Sequence, residues 1–298
     1  MYRDLFTIPG LGITLHGFGL LVVLGCFGAL RITAWRAQRE RLDPDDVYGL
    51  AIWLFTGGVI GARLFYVVQH HETIHRVTDI FRVWQGGIVF YGCIIGGLIG
   101  SVLYWVRHPF PFRPMADAVA PALMVGVALG RLGCFCNGCC YGAVSHLPWA
   151  LTFPARTLPW AHHVVAGLIP LSAARSLPVH PTQLYAALNG FLILALLTWY
   201  FPRRRRDGEV MALLMLAYPV ARFVEESLRA DEGPFLAGMT ISQDISVLLF
   251  ACGLVFSFWL TRQPVGRHAT LAAVAPAHQE AKEPAMAGPS RLSMEVTH

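Results

Sequence analysis

Charge is scarce in this chain, and lysine almost absent. Only 14% of the 298 residues are Asp, Glu, Lys or Arg, against roughly 25% in soluble domains. A soluble fold built from it would have too few polar side chains to cover its surface. Lys282 is the single lysine, so the formal charge of +5 rests on arginine. Those arginines sit between apolar runs instead of forming one basic face, so nucleic acid is not an expected partner. No basic cluster precedes the first apolar run, so no cleavable leader is expected. Nor is there an internal repeat. Seven cysteines, an odd number in a long chain, do not read as a small secreted disulfide scaffold.

What is abundant is apolar length. Hydrophobic residues make up 55% of the chain, and the mean hydropathy is +0.52. A hydrocarbon core of about 30 Å takes about 20 apolar residues of helix. Seven stretches qualify as candidates: 15–30, 47–69, 88–106, 116–136, 182–201, 209–224 and 240–261, with the first and sixth short. The fold expected is therefore all-α, a polytopic bundle of seven transmembrane helices. Arg31, Arg36, Arg39 and Arg41 follow the first span, Arg107 and Arg113 the third, Arg203 to Arg206 the fifth, and Arg262 and Arg267 the seventh. By the positive-inside rule these four clusters place the N-terminus outside and the C-terminus in the cytoplasm. The bundle would then span 1–263. It would carry an external arm at 70–87, with Phe81 and Trp84 at the interface, and an external cap at 143–181. Residues 264–298, rich in Ala, Pro and His, read as a disordered cytoplasmic tail.

Three arginines interrupt apolar spans. Arg63, Arg131 and Arg222 lie 16, 15 and 13 residues after Val47, Ala116 and Glu209, on the even-numbered spans. At 1.5 Å per residue that is roughly 20 to 24 Å from the inner edge, which puts all three in the outer half of the bilayer. A buried arginine there costs ~2.5 kcal/mol or more and marks function by default; the bland alternative is snorkelling to the interface. Guanidinium forks grip phosphate oxygens in pairs, which an ammonium cannot do. A layer of them suits a phospholipid headgroup. His16, Tyr91 and His180 open inward-running spans at the same level, where an interfacial ring is the plainer role for the histidines. Arg222 and Glu226 form an i,i+4 pair.

Residues 130–142 read GRLGCFCNGCCYG. C-x-C-x2-C-C is a poor match to the paired C-x2-4-C spacing of structural zinc. A disulfide suits the oxidising side of a membrane, and simple packing suits a buried thiol. The residues alone leave packing, disulfide and metal open.

This stretch resembles the signature GR-[IL]-G-N-F-x-N-G-x-x-x-G of prolipoprotein diacylglyceryl transferases. LHGFG at 15–19, GARLFY at 61–66, FRVWQGG at 81–87, FYGCIIGGLIG at 90–100, HPTQLY at 180–185 and ARFVEESLR at 221–229 are similar to the family's other motifs, in the same order. The resemblance implies an enzyme of the inner membrane. It would move the diacylglyceryl group of phosphatidylglycerol to the lipobox cysteine of a preprolipoprotein, forming a thioether and releasing glycerol phosphate, without metal or cofactor. On that likeness Arg131, Arg222, Tyr91, His16 and Glu226 are the expected catalytic residues. Arg63, Arg131, Asn137, Gly142, His180, Gln183, Tyr185 and Arg229 would bind substrate. The chain departs from the pattern where Tyr91 replaces the histidine assigned as general base, Cys134 an asparagine, Cys139 a glutamate, and Phe18 a common tyrosine. A phenol titrates near pH 10 and needs a cation to act as base, so the base stays open between His16, a more distant histidine and ionisation of the substrate thiol itself. Two rival functions use the same bundle: a thiol-redox or metal-handling protein, and a lipid-binding or transport protein without catalysis.

Overall fold

The computed structural model of the protein describes residues 4–7, 14–73, 87, 89–229 and 238–270. Eight α-helices carry the described architecture: α1 (Gly17–Arg39), α2 (Pro44–Gln69), α3 (Phe90–Arg107), α4 (Phe112–Asn137), α5 (Leu158–Val165), α6 (Thr182–Tyr200), α7 (Glu209–Glu226) and α8 (Ile241–Thr261). All but α5 fall on the seven apolar stretches read from the sequence. Five of them, α1, α2, α4, α6 and α8, are long and apolar enough to cross a membrane. α3 is apolar but shorter. α7 dilutes its apolar run with Glu209, Arg222, Glu225 and Glu226. The first helix, expected to be short, runs for 23 residues. One amendment to an all-helical fold is needed: strands β1 (Asp4–Thr7) and β2 (Thr14–His16) form an antiparallel pair that leads into α1. Most of the expected external arm, and the tail beyond residue 270, lie outside the described residues.

Local sequence sets the helix ends. Asp43 accepts the Asp45 N–H at 2.9 Å and Pro44 opens α2, a start that satisfies one orphan donor and loses none. Thr240 and Gln243 exchange side-chain and backbone bonds in a capping box that begins α8. α7 has only Gly208 at its cap position, and a distant residue does the capping. Asp117 of α4 accepts the N–H groups of Gly208, Val210 and Met211 at 2.7, 2.9 and 3.0 Å.

α4 sits at the centre, packed against α1, α6 and α7; α2 packs on α3 and α1, and α8 on α7. Side chains that face away from these contacts, among them Phe27, Phe55, Leu98, Leu192 and Phe258, are large, apolar and exposed. Such a belt is tolerable only against lipid. The α2–α3 contact is a glycine seam. A Cβ at Gly57, Gly61, Gly92 or Gly96 would come within 2.2–2.4 Å of a carbonyl oxygen on the facing helix, so only hydrogen fits. Beside the seam lies an apolar groove of about 820 Å³.

The four arginine clusters of the sequence meet at one end of the bundle. Arg204, fully buried, lies 2.6 Å from Glu40, 3.1 Å from Asp117 and 3.5 Å from Asp207. Its Nε and Nη2 reach these carboxylates at ion-pair distance without hydrogen-bond alignment. Arg267 adds a 2.9 Å contact to Glu40, Arg36 donates to Thr198 at 3.1 Å, and Arg113 lies over Trp259. The backbone N–H of His268 donates to Asp207 at 2.6 Å. The chain thus stays tied to the bundle a few residues past 264, where the tail was expected to begin.

Candidate active site

At the other end of α4 the helix closes on Gly138, whose φ of +74° is the left-handed conformation that glycine adopts without strain. Cys139 N–H returns to Cys134 O at 3.1 Å as the chain leaves the helix. This turn is stitched to two other segments. Gly142 N–H donates to His180 O at 3.0 Å, His180 N–H to Ala143 O at 3.0 Å, and Ala143 N–H to Leu228 O at 2.9 Å. Thr182 and Gln183, in the first turn of α6, donate to the carbonyls of Cys140 and Cys139 at 2.8 and 2.7 Å. A Cβ at Gly142 would lie 2.6 Å from His180 Cβ and 2.7 Å from Leu228 O. The glycine is required by this three-way contact. Three motifs far apart in sequence therefore share one place.

Arg222 and Arg229 of the α7 segment both face Glu226. Arg222 pairs with Glu226 and donates to Ser242 at 2.9 Å, while Arg229 lies 3.4 Å from the same carboxylate. Glu226 is buried, so it holds both guanidinium groups. Arg131, six residues before the end of α4, has no hydrogen bond or ion pair among the described residues. It is a half-buried cation with its fork uncommitted. Asn137 ends α4 and lines a 500 Å³ cavity with Cys136, Arg156 and Thr157 beneath the cap.

The remaining expected residues divide in two. Phe18 of α1 packs where a Cβ on Gly133 would lie 3.0 Å from its ring, so His16, at the cap position of α1, enters beside the turn of α4 that follows Arg131. Arg63 and Tyr91 belong to the α2–α3 pair instead. Arg63 donates to Gly87 O at 3.0 Å and lies 5.1 Å from the Tyr66 ring centre. Val89 N–H bonds Ala62 O at 3.2 Å and brings the start of α3, with Tyr91, to the level of Arg63. Gln183 is fully buried against the signature turn. The Tyr185 hydroxyl accepts the Trp149 indole N–H at 2.6 Å, and its ring meets His180 edge-on. These two anchor the cap to α6.

Sequence reasoning missed two partners here. Asn189, in the middle of an apolar helix, donates to Glu225 at 2.5 Å. Tyr141, inside the signature stretch, hydrogen-bonds His162 of α5 at 2.5 Å. A lone amide within LYAALNGFL was the available signal for the first. Within the cap, His163 Nδ1 accepts the Leu177 N–H at 3.2 Å. Burial, and then the neighbouring His162, hold its imidazole below the usual range.

A family model described as prolipoprotein diacylglyceryl transferase matches residues 4–259. A phosphatidylglycerol–prolipoprotein diacylglyceryl transferase of Clostridium tetani is 30% identical over 251 residues, covering 84% of this chain and 95% of that protein. One of Gloeobacter violaceus is 33% identical over 277 residues, covering 89% and 97%. One of Thermosynechococcus vestitus is 32% identical over 244 residues, covering 81% and 87%.

Proposed function

The chain belongs to the prolipoprotein diacylglyceryl transferase family, and from that premise we propose how its residues divide the work. It is a multi-pass membrane transferase. Its substrates are phosphatidylglycerol and a prolipoprotein, and it moves the diacylglyceryl group from the first to a cysteine thiol of the second. The C–S bond forms as the C–O bond to phosphate breaks, and glycerol phosphate leaves with the electron pair. The phosphate begins as a singly charged diester and ends as a monoester of higher charge. Cations around it therefore bind the transition state more tightly than the ground state.

Arg131 and Arg222 take the phosphate oxygens. What supports this is the contrast between them: Arg222 is aimed by Glu226 and Ser242, while Arg131 is uncommitted among the described residues. That open fork is the observation on which the assignment rests. Arg229 and Glu226 fix the orientation of Arg222; Asn137, Gly142, His180, Gln183 and Tyr185 shape the turn above it. Arg63 holds a second edge of the headgroup. His16 takes the thiol proton, imidazole being the side chain most often placed as a general base, and the Tyr91 hydroxyl orients the lipid. The acceptor is the lipobox cysteine of a signal peptide. Seven spans, N-terminus outside and C-terminus inside, in the bacterial inner membrane, place this end toward the outer leaflet; the clustering of four arginine groups at the opposite end of the bundle supports that orientation. Nucleic acid has no part.

The test is complementation of a strain depleted of its own diacylglyceryl transferase, with mass spectrometry of a reporter lipoprotein. The expected product is the reporter carrying one added diacylglyceryl group on its lipobox cysteine. An unmodified reporter in cells that hold the folded protein in their membranes would sink the reading.

A further inference from the structure

Where the family signature carries asparagine and glutamate, this chain has thiols, and the fold gathers three of the four in the stretch. The Sγ atoms of Cys134, Cys139 and Cys140 all lie within 4.8 Å of one another, and none of the seven cysteines forms a disulfide. The grouping is not a by-product of helix geometry. Cys134 is on α4, and Cys139 and Cys140 reach it only because the chain reverses at Gly138. Cys140 itself takes a φ of +57°, a left-handed conformation that costs a residue with a side chain about 1 kcal/mol or more. The reversal is held from outside, by the bonds of Gln183 and Thr182 to the carbonyls of Cys139 and Cys140. Cys136, two positions along the helix from Cys134, points to a different face and lines the cavity under the cap.

A second observation comes from Gln183. It is fully buried. Its Nε2 is spent on the Cys139 carbonyl, and its Oε1 is buried with no hydrogen-bond partner. An amide atom orphaned in this way is costly; a ligand beside it would remove the cost. Three thiols gathered at a turn to which the Gln183 amide is bonded form a donor set for a soft, closed-shell cation.

We propose that Cys134, Cys139 and Cys140 form a binding site for a thiophilic metal ion of the zinc class, with Gln183 Oε1 as the oxygen donor. On binding, each coordinated thiol gives its proton to solvent and its sulfur bonds the metal, with no change of oxidation state. The ion would lock the signature turn to the first turn of α6, doing with metal–sulfur bonds what a purely hydrogen-bonded turn does less firmly. This site is independent of the transferase reading, and its test does not use activity.

The experiment takes the full-length protein, reduced and stripped with chelator in detergent micelles, and titrates it with Co2+ as a spectroscopic probe. A thiolate-to-cobalt charge-transfer band saturating at one equivalent, and displaced by Zn2+, is the expected result; zinc binds such sites more tightly than cobalt. Replacing Cys134, Cys139 or Cys140 by serine should weaken binding by more than the roughly 10- to 100-fold that loss of a supporting residue costs, while Cys136→Ser keeps it. Because a serine variant could misfold, wild-type protein is also alkylated with and without Zn2+. Protection confined to Cys134, Cys139 and Cys140 supports the site. Absence of the band in reduced wild type, its survival when all three are serine, or equal alkylation with and without Zn2+ would overturn it.

Discussion

At one end of α4, Arg204 is enclosed by Glu40, Asp117 and Asp207 and has no exposed side-chain surface; towards the other, Arg131 faces no carboxylate among the described residues. The sequence presents them in misleading contexts. Arg204 belongs to an arginine run that reads as a solvated topology signal, and Arg131 to an apolar span where a lone cation is expensive. The structure inverts the expectation. The residue in the polar run is the structural one, because Glu40, Asp117 and Asp207 converge on it from three separate segments. The residue in the apolar span is left available. Burial with full pairing fixes a fold; partial burial without pairing keeps a charge ready for a ligand.

Four substitutions would break or sharpen this contrast. Arg204→Ala has the largest expected effect: three carboxylates lose their common cation, and breaking such a buried group costs about 3–5 kcal/mol. Thermal unfolding in detergent should show a large drop in Tm, whereas an unchanged Tm would mean the network is incidental. Arg131→Ala should do the reverse. Removal of one charge-stabilising donor lowers turnover by roughly 10²–10³-fold, with little change in Tm; full lipidation of a reporter by this variant would remove Arg131 from the mechanism. Arg222→Lys retains the charge beside Glu226 but loses the planar fork, for which about a tenfold loss of turnover is expected. Wild-type rates would mean that a point charge is enough. Smallest is Tyr91→Phe, expected to slow turnover by only a few-fold if the hydroxyl orients lipid. A loss as large as that of Arg131→Ala would show that Tyr91, not His16, handles the proton.

The helices were legible because their signal is local. Each apolar run is long, and the breaks between runs hold Pro, Gly or Arg clusters. The sequence also pointed to Arg222 and Glu226, since i,i+4 spacing on a helix is a local rule. What it hid depends on long-range contact. Asp117 is a lone acid near the start of an apolar run, yet it caps α7, far along the chain. Gln183 reads as part of a binding motif, and only the fold shows it fully buried against the Cys139 carbonyl. Spacing could not say which cysteines act together, because which thiols meet is decided by the backbone reversal at Gly138 and Cys140. The two-stranded pair before α1 is too short to show a clear alternation.

The glycine seam between α2 and α3 has a consequence for Arg63. It lies just beyond Gly61, whose missing side chain lets the Gly92 carbonyl approach. A single methyl group introduced anywhere along that line would act as a wedge, prising the two helices apart and carrying Arg63 away from the Gly87 carbonyl that steadies it. The placement of a large cation is thus set by the smallest residues in the chain.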